Sequence, residues 1–394
     1  MDPVTLRPSH MVVGGAALAR DANGRVVFVS GALPAEAVAV EYRTSKKDFA
    51  TADVVEVLEA SVHRVEPPCE AWHRGCGGCD WQHIDPVAQL TFKTEMVREA
   101  LTRTARIESP FVVAGASGSP WAYRTTVRVA VHPSGGVGFR SRRSHDVVLI
   151  ASCPVAAPAI NEMLTNLRAA GTAEVTLRVG LASGMATAWG ARDSIISGAG
   201  EDVSTARDSV VYDDVRGCSL RVSAASFFQS SPDAAGLLVD AVARATADLD
   251  LTTCTVIDAY GGVGLFAATV AREAVRVVVI ESSPAACADA RYNLRHISAD
   301  VVESRVEHWQ PEPADVVIAD PARSGLDRTA IERLVATGAS RLVVVSCDTG
   351  SLARDARLLR EHGFLHVSTE VFDVFVNTSH IETVTRFDRA DGAP

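Results

Sequence analysis

Between residues 11 and 60, apolar and polar positions alternate in short runs. Val26 to Val29, Ala37 to Tyr42 and Ala52 to Leu58 are separated by Asp21-Ala22-Asn23-Gly24 and Gly31-Ala32-Leu33-Pro34. A period of two places apolar side chains on one face of a strand, and several short strands at regular spacing predict a small β-barrel of the OB type. Pro67 and Pro68 end that unit. Over residues 85–107 the repeat becomes helical, with Leu90, Val97 and Leu101 on one face of an amphipathic helix. A mixed stretch rich in strands, Ala and Ser runs to about residue 220.

From about residue 223, helical patterns alternate with apolar strands at Thr255 to Asp258, Val275 to Glu281, Asp315 to Asp320 and Arg341 to Ser346. Leu237 to Ala247, Ala330 to Ala336 and Leu352 to Glu361 read as helices. This alternation predicts right-handed βαβ units and a parallel, doubly wound sheet. Leu365 to Phe375 and His380 to Phe387 lie too close for a helical crossover, so they should form an antiparallel hairpin at one sheet edge. The fold class is therefore α/β, divided as 1–62, 63–222 and 223–394.

A chain of 394 residues exceeds what one core supports, and 47% hydrophobic with 22% charged residues is a globular balance that excludes a disordered chain. No apolar run reaches the roughly 18 residues of a membrane span, and Met1 to Arg7 lacks a basic segment leading into an apolar one. The expected location is the cytoplasm, with no membrane partner and no obligate protein partner. Eight cysteines in a reducing compartment should not form disulfides, so a tight cluster reads as a metal or iron–sulfur site.

A net charge of −10 argues against nonspecific coating of nucleic acid. One local exception is Pro120 to His145, where Arg124, Arg128, Arg140, Arg142 and Arg143 interleave with Trp121, Tyr123 and Phe139 and no acid intervenes. That pattern predicts a phosphate-tracking RNA surface with stacking aromatics, and a solvated β-hairpin would share it. Lys46-Lys47 beside Phe49 is a smaller candidate of the same kind.

Candidate chemistry gathers at the ends of the later strands. Asp258-Ala259-Tyr260-Gly261-Gly262-Val263-Gly264 is a strand, a glycine turn and a helix start, and Glu281 ends the next strand, where it can bind ribose hydroxyls. Gly262-x-Gly264-x-x-Ala267 also satisfies the dinucleotide fingerprint, so NAD competes at this point. Asp320-Pro321-Ala322-Arg323 follows the third strand and Ser346-Cys347-Asp348 the fourth, while Glu382 lies inside an apolar edge strand, where desolvation would raise its pKa. Cys69-x6-Cys76-Gly77-Gly78-Cys79, with Cys153-Pro154 as source of a fourth thiol, has the spacing of a zinc or iron–sulfur site. Cys218, Cys254 and Cys287 read as small core residues.

Taken end to end, these motifs resemble the TRAM-domain class of S-adenosylmethionine-dependent RNA uracil-C5 methyltransferases, the group of the TrmA, RlmC and RlmD enzymes. His10 to Glu36 resembles a TRAM start, Cys69 to His83 with Cys153-Pro154-Val155 the iron–sulfur segment, and Phe227-Phe228-Gln229 the cofactor-contacting segment. The resemblance implies a TRAM (OB-like) domain, a central α+β iron–sulfur domain and a C-terminal Rossmann-like class I methyltransferase domain. It implies a [4Fe-4S] cluster on Cys69, Cys76, Cys79 and Cys153, and S-adenosylmethionine contacts at Gln229, Tyr260, Glu281 and Asp320. It makes Cys347 the nucleophile, Glu382 the general base and RNA the partner, with 23S rRNA favoured over tRNA. It also implies that the helix near 85–115 packs on the catalytic domain.

Three departures stand out: Ala322 replaces the second proline of Asp-Pro-Pro-Arg, Asp348-Thr349 replaces Asn-Pro after the cysteine, and Val376-Asn377 replaces Pro-Gln. They put loop rigidity and substrate choice in question more than the chemistry. Thiolate addition to uracil C6 would require the site to lower the Cys347 pKa from its ordinary value of about 8.5. Two other functions compete: an NAD-dependent Rossmann oxidoreductase and a noncatalytic RNA-binding protein.

Overall fold

The computed structural model describes residues 4–390. Met1–Pro3, on which part of the N-terminal reading rests, and residues 391–394 of the last span lie outside the described residues.

The N-terminal strands form one six-stranded sheet in the order Val4–Leu6, Ala37–Ser45, Phe49–Glu59, Val26–Ser30, Ala17–Arg20, His10–Met11. Phe49–Glu59 runs antiparallel to Ala37–Ser45, with three register shifts that bend the pair, and parallel to Val26–Ser30. The alternating Val27, Val29, Val38, Val40, Ala50 and Ala52 are buried on the inner face. No pairing joins Val4–Leu6 to His10–Met11 among the described residues, so the expected barrel is a bent sheet whose ladder is not closed.

The central unit is a second six-stranded sheet, in the order Val147–Leu149, Val137–Arg140, Thr126–Val131, Glu174–Val179, Ala186–Trp189, Val203–Ser204. Helix Pro158–Asn166 buries Ile160, Met163 and Leu164 in a core shared with Val127, Val129, Val175 and Leu177 of that sheet.

The third sheet starts earlier in the chain than its pattern suggests. Helix α1 (Pro86–Arg103) begins on Pro86 with Asp85 accepting from Val87 N, and strand β1 (Val112–Ser117) follows. After the central unit come α2 (Pro232–Ala245), β2 (Thr255–Ala259), β3 (Arg276–Glu281), α3 (Pro284–Asn293), β4 (Ala299–Glu303) and β5 (Val316–Ala319). Then come α4 (Arg328–Val335), β6 (Arg341–Ser346), α5 (Thr349–Glu361), β7 (Phe364–Asp373) and β8 (Glu382–Arg389). The sheet order is β4-β3-β2-β5-β6-β8-β7-β1. From β4 to β6 every pairing is parallel, and β8 runs antiparallel to both of its neighbours.

The β7–β8 hairpin therefore forms as expected but does not lie at the edge. Strand β1 pairs parallel to β7, Thr369 opposite Val112 and Glu370 opposite Val113, and satisfies backbone groups that an outer strand would leave open. Helix α1 packs beside it, so residues 86–117 are physically part of the C-terminal unit. One continuous core joins the inner face of the N-terminal sheet, Trp81, Ile84, α1, α4, α5 and one face of the large sheet, while α2 and α3 cover the other face. Among the described residues no helix is long and apolar enough to cross a membrane.

Candidate active site

Strand β2 ends at Asp258-Ala259 and the chain reverses through Tyr260 (φ +60°), Gly262 (φ +55°) and Gly264 (φ +86°), left-handed positions that suit glycine at two of the three. Asp258 accepts a bond from Ala267 N (3.0 Å), tying the helix after the turn to the strand before it. Burial pushes its carboxyl up to about 7, with Asp320 and Glu281 adding to the effect, and Oδ1 has no partner. Glu281 at the end of β3 accepts from Gly262 N (3.0 Å) and Ser283 N (2.6 Å), which fixes the turn from the other side. Asp320 N donates to Ala259 O (3.2 Å), so Asp320 sits beside the glycine turn. Gln229, just before α2, donates from Nε2 to Asp320 Oδ2 (3.3 Å). Tyr260 belongs to the same turn, and burial, followed by the charges of Glu307, Asp327 and Asp355, raises its hydroxyl's pKa.

The nucleophile and base candidates meet through sheet register. Ser346 of β6 lies opposite Thr383 of β8, and Thr383 Oγ1 donates to Ser346 O (3.1 Å), which sets Cys347 beside Glu382. Glu382 is 5% exposed, so it points inward from an interior strand and not outward from an edge. Burial, and then the Asp320 charge, hold its carboxyl well above the usual range, opposed by Arg323. Burial likewise pushes Asp320 up to about 7. The Cys347 thiol is pushed up to about 12 by burial, Glu382 and Asp320, again against Arg323. The protein's own residues thus stabilise the neutral thiol, and the lowering that thiolate addition requires is not supplied by them. Arg323 Nη2 also lies 3.2 Å from His380 Nε2, which brings both residues to the crevice rim.

Sequence reasoning did not single out Asp258, Arg323 or His380 as individual site residues. Their signal was adjacency: an acid one residue before the strand end, and a cation and an imidazole inside the motifs that carry Asp320 and Glu382. The loop departures also have physical counterparts. Asp355 Oδ2 accepts from Leu326 N (2.7 Å) and Arg354 donates to Ser324 O and Leu326 O, which pin the loop containing Ala322. Asp348 caps α5 by accepting from Ser351 N (2.8 Å), so the turn after Cys347 is held without a proline.

Away from this crevice, Cys69, Cys76, Cys79 and Cys153 are free thiols that line one cavity of about 200 Å³ with Trp72, Gln82, Arg124 and Phe139. Burial raises Cys76 and Cys153 and pushes Cys79 up to about 12. Trp72 Nε1 and Gln82 Oε1, both from cavity-lining side chains, have no partner. Among the described residues, no three His, Cys, Asp or Glu side chains converge on a point suited to one ion. Four thiols lining one cavity are the donor type that iron–sulfur clusters use.

The basic stretch differs from its expected role as an open stacking surface. Tyr123 is buried, and Arg124 lies over the rings of Tyr123 and Phe375. Arg142 stacks 4.1 Å above Trp72 and donates to Trp72 O and Cys76 O. Arg128 and Arg140 pair with Glu174, and Arg143 with Asp53. The cause is tertiary: this segment packs on the cysteine segment and the N-terminal sheet. Lys46, by contrast, is exposed over Phe49, 5.1 Å from the ring centroid.

The parallel sheet, the glycine turn after β2, the acid ending β3 and the antiparallel β7–β8 pair define a class I methyltransferase architecture. No protein-family model matches the chain. An uncharacterized RNA methyltransferase of Streptomyces avermitilis is 33% identical over 424 residues, covering 96% of each chain. The 23S rRNA (uracil(1939)-C(5))-methyltransferase RlmD of Alkalilimnicola ehrlichii is 30% identical, covering 93% of this chain and 92% of its own. The crystal structure of the Pyrococcus abyssi tRNA (uracil-54, C5)-methyltransferase with S-adenosyl-L-homocysteine matches the fold across 98% of this chain and 100% of that one, with a TM-score of 0.74 at 20% identity. The chain belongs to the TrmA/RlmD family of S-adenosylmethionine-dependent RNA uracil-C5 methyltransferases. Family membership sets aside the NAD-dependent and noncatalytic readings.

Proposed function

We propose that this protein methylates C5 of a uracil in 23S rRNA through a covalent Cys347–C6 adduct. The observation that carries the reading is the register of Ser346 opposite Thr383, which sets Cys347, just beyond β6, next to the buried Glu382 of β8, with Asp320 and Gln229 alongside. The RlmD relative, similar over nearly the whole chain, supports ribosomal RNA over tRNA.

S-adenosylmethionine would lie over the strand ends, its ribose toward Glu281 and its methionine end toward Gln229 and Asp320, with Tyr260 closing the adjacent turn. The target base must leave its stack to reach Cys347. Thiolate addition to C6 forms the S–C6 bond and moves the ring electrons to the enolate. C5 then attacks the sulfonium methyl, breaking the S–CH3 bond and leaving S-adenosylhomocysteine. Glu382 takes the C5 proton, the C5–H pair restores the C5–C6 double bond, and the C6–S pair returns to Cys347. A carboxylate with a raised pKa is a stronger base than an ordinary one, which suits the last step. The substrate sulfonium and Arg323 supply the positive charge that favours the thiolate.

Cys69, Cys76, Cys79 and Cys153 would hold a [4Fe-4S] cluster, which would tie two distant chain segments together at four points. Burial disfavours free thiolates at Cys76, Cys79 and Cys153, and cluster iron would compensate for that cost. Iron and acid-labile sulfide in anaerobically purified protein, lost together in Cys79→Ala, are the expected result.

The activity test is methylation of RNA lacking 5-methyluridine, with labelled S-adenosylmethionine and wild-type protein beside Cys347→Ala. Label recovered as 5-methyluridine in large rRNA, from wild type alone, is expected. Equal turnover by Cys347→Ala would exclude the covalent route, and label confined to tRNA would reassign the substrate.

A further inference from the structure

The connection between β7 and β8, residues 374–381, leads directly into Glu382, and residues far away in sequence hold its tip. Asn377 is 1% exposed with φ +71°, and every polar group it carries is bound by a residue outside the loop. Its N donates to Gln89 Oε1 (2.8 Å) and its O accepts from Trp81 N (3.0 Å). Its side-chain Nδ2 donates to Pro120 O (2.8 Å), and Oδ1 faces Gln89 Nε2 at 3.5 Å. Gln89 is itself fully buried and fixed, since Nε2 donates to Ile84 O (2.9 Å). Two residues further on, Ser379 N donates to Asp80 Oδ1 (2.8 Å), and Tyr123 Oη donates to Val376 O (3.2 Å).

The N-terminal sheet reaches the same point. Trp81 Nε1 donates to Gly15 O (3.1 Å), and a Cβ on Gly15 would come within 2.8 Å of the Ser379 side chain and 2.7 Å of Asp80 Oδ2. The segment Asp80–Trp81 follows Cys79 directly, so the thiol cavity and the catalytic hairpin share one stretch of backbone.

We propose that Gln89 and Asp80 are positioning residues for Glu382: by fixing the tip of the β7–β8 connection, they set where the carboxylate meets the C5 proton. Neither belongs to the group formed by Cys347, Glu382, Asp320 and Gln229. This inference rests on the proposed roles of Cys347 and Glu382, and it predicts a defect at one step. Addition to C6 and methyl transfer depend on Cys347 and the bound sulfonium, whereas elimination depends on Glu382. A displaced Glu382 should therefore slow release more than capture.

The test compares wild type, Glu382→Gln, Gln89→Met and Asp80→Ala, with labelled S-adenosylmethionine and a 23S rRNA fragment. Turnover and denaturation-resistant protein–RNA adduct are both measured. Gln89→Met keeps side-chain length and loses the side chain's hydrogen bonds to Asn377, Ile84 and Trp81, and the kcat should fall by up to about 10²-fold, the scale of an ångström-sized misplacement. The KM for each substrate should fall in step with kcat, leaving kcat/KM changed by less than about twofold, because capture and methyl transfer precede the slowed step. Methylated adduct should accumulate, as in Glu382→Gln.

Asp80 is exposed, so Asp80→Ala keeps the test open if Gln89→Met does not fold. It should show the same shift toward trapped adduct in a milder form. Unchanged turnover and adduct in Asp80→Ala, or adduct formation slowed in step with turnover in either folded variant, would overturn the proposal. Absence of adduct in wild type and Glu382→Gln alike would instead overturn the covalent reading on which it rests.

Discussion

Replacing Lys93 by methionine tests the joint between α1 and the catalytic sheet. Lys93 Nζ lies 2.6 Å from Asp373 Oδ1, both side chains are 0% exposed, and Asp373 Oδ2 has no other partner. The ammonium also sits 5.5 Å from the Trp81 ring centroid. Burial pushes Lys93 down and Asp373 up, and their mutual attraction opposes both shifts. Without Lys93, the carboxylate would be left charged in an apolar setting, and its escape is to take up a proton. From an ordinary pKa of about 3.9, that costs about 4 kcal/mol at pH 7 and about 1.5 kcal/mol at pH 5, at about 1.4 kcal/mol per unit. This ceiling agrees with the roughly 3–5 kcal/mol typical of a broken buried pair.

The sign follows from proton counting. In the folded variant Asp373 binds a proton that the unfolded chain has released above its ordinary pKa, so the loss relative to wild type grows as pH rises. Denaturant midpoints of both proteins at about pH 5 and pH 7 would measure it. The double variant Lys93→Met/Asp373→Leu should recover most of the loss, because an apolar pair leaves no buried charge. A Lys93→Met penalty equal at both pH values, or below about 1 kcal/mol at pH 7, would refute the argument that buried charge dominates this joint.

Glu382→Gln should lower kcat by about 10²- to 10⁴-fold while methylated adduct accumulates, and normal turnover in that variant would remove Glu382 from the base role. Since burial, Glu382 and Asp320 push Cys347 up to about 12 in the ligand-free protein, its alkylation rate without S-adenosylmethionine should rise about tenfold per pH unit between about pH 6 and pH 9. A flat profile across that window would contradict the raised value. Asp258, pushed up to about 7 by burial, binds a proton in the fold that the unfolded chain releases near pH 4, so wild type loses stability across that interval. Asp258→Asn should thus gain stability relative to wild type as pH rises from about 4 to 8, and a midpoint difference independent of pH would count against the buried charge.

The catalytic sheet was readable because its parallel strands are continuous apolar runs bounded by turns: Arg341 to Ser346 appears as expected, and Thr255 to Asp258 extends by one residue. The candidate residues were readable for a related reason, since strand ends in such a sheet converge on one crevice. Strand β1 was not readable. Val112–Ser117 is short and contains Gly115, and its partner β7 lies more than two hundred residues away, so no local pattern announces the pairing. Charge environments were equally hidden. Arg124 and Arg128 look alike in sequence, yet one stacks on Tyr123 and Phe375 while the side chain of the other is 71% exposed.

The same limit applies to the direction of the Cys347 shift, which depends on how many acids converge on the thiol. Asp320, Glu382 and Cys347 together can carry more negative charge than Arg323 offsets, and burial raises all three pKa values. Such a crevice holds protons until positive charge arrives. A dinucleotide would add its anionic diphosphate at the neighbouring glycine turn, where Asp258 and Glu281 already place carboxyl groups, whereas a sulfonium brings the cation this arrangement lacks. The glycine fingerprint alone fits either ligand; the acids gathered around it favour the methyl donor.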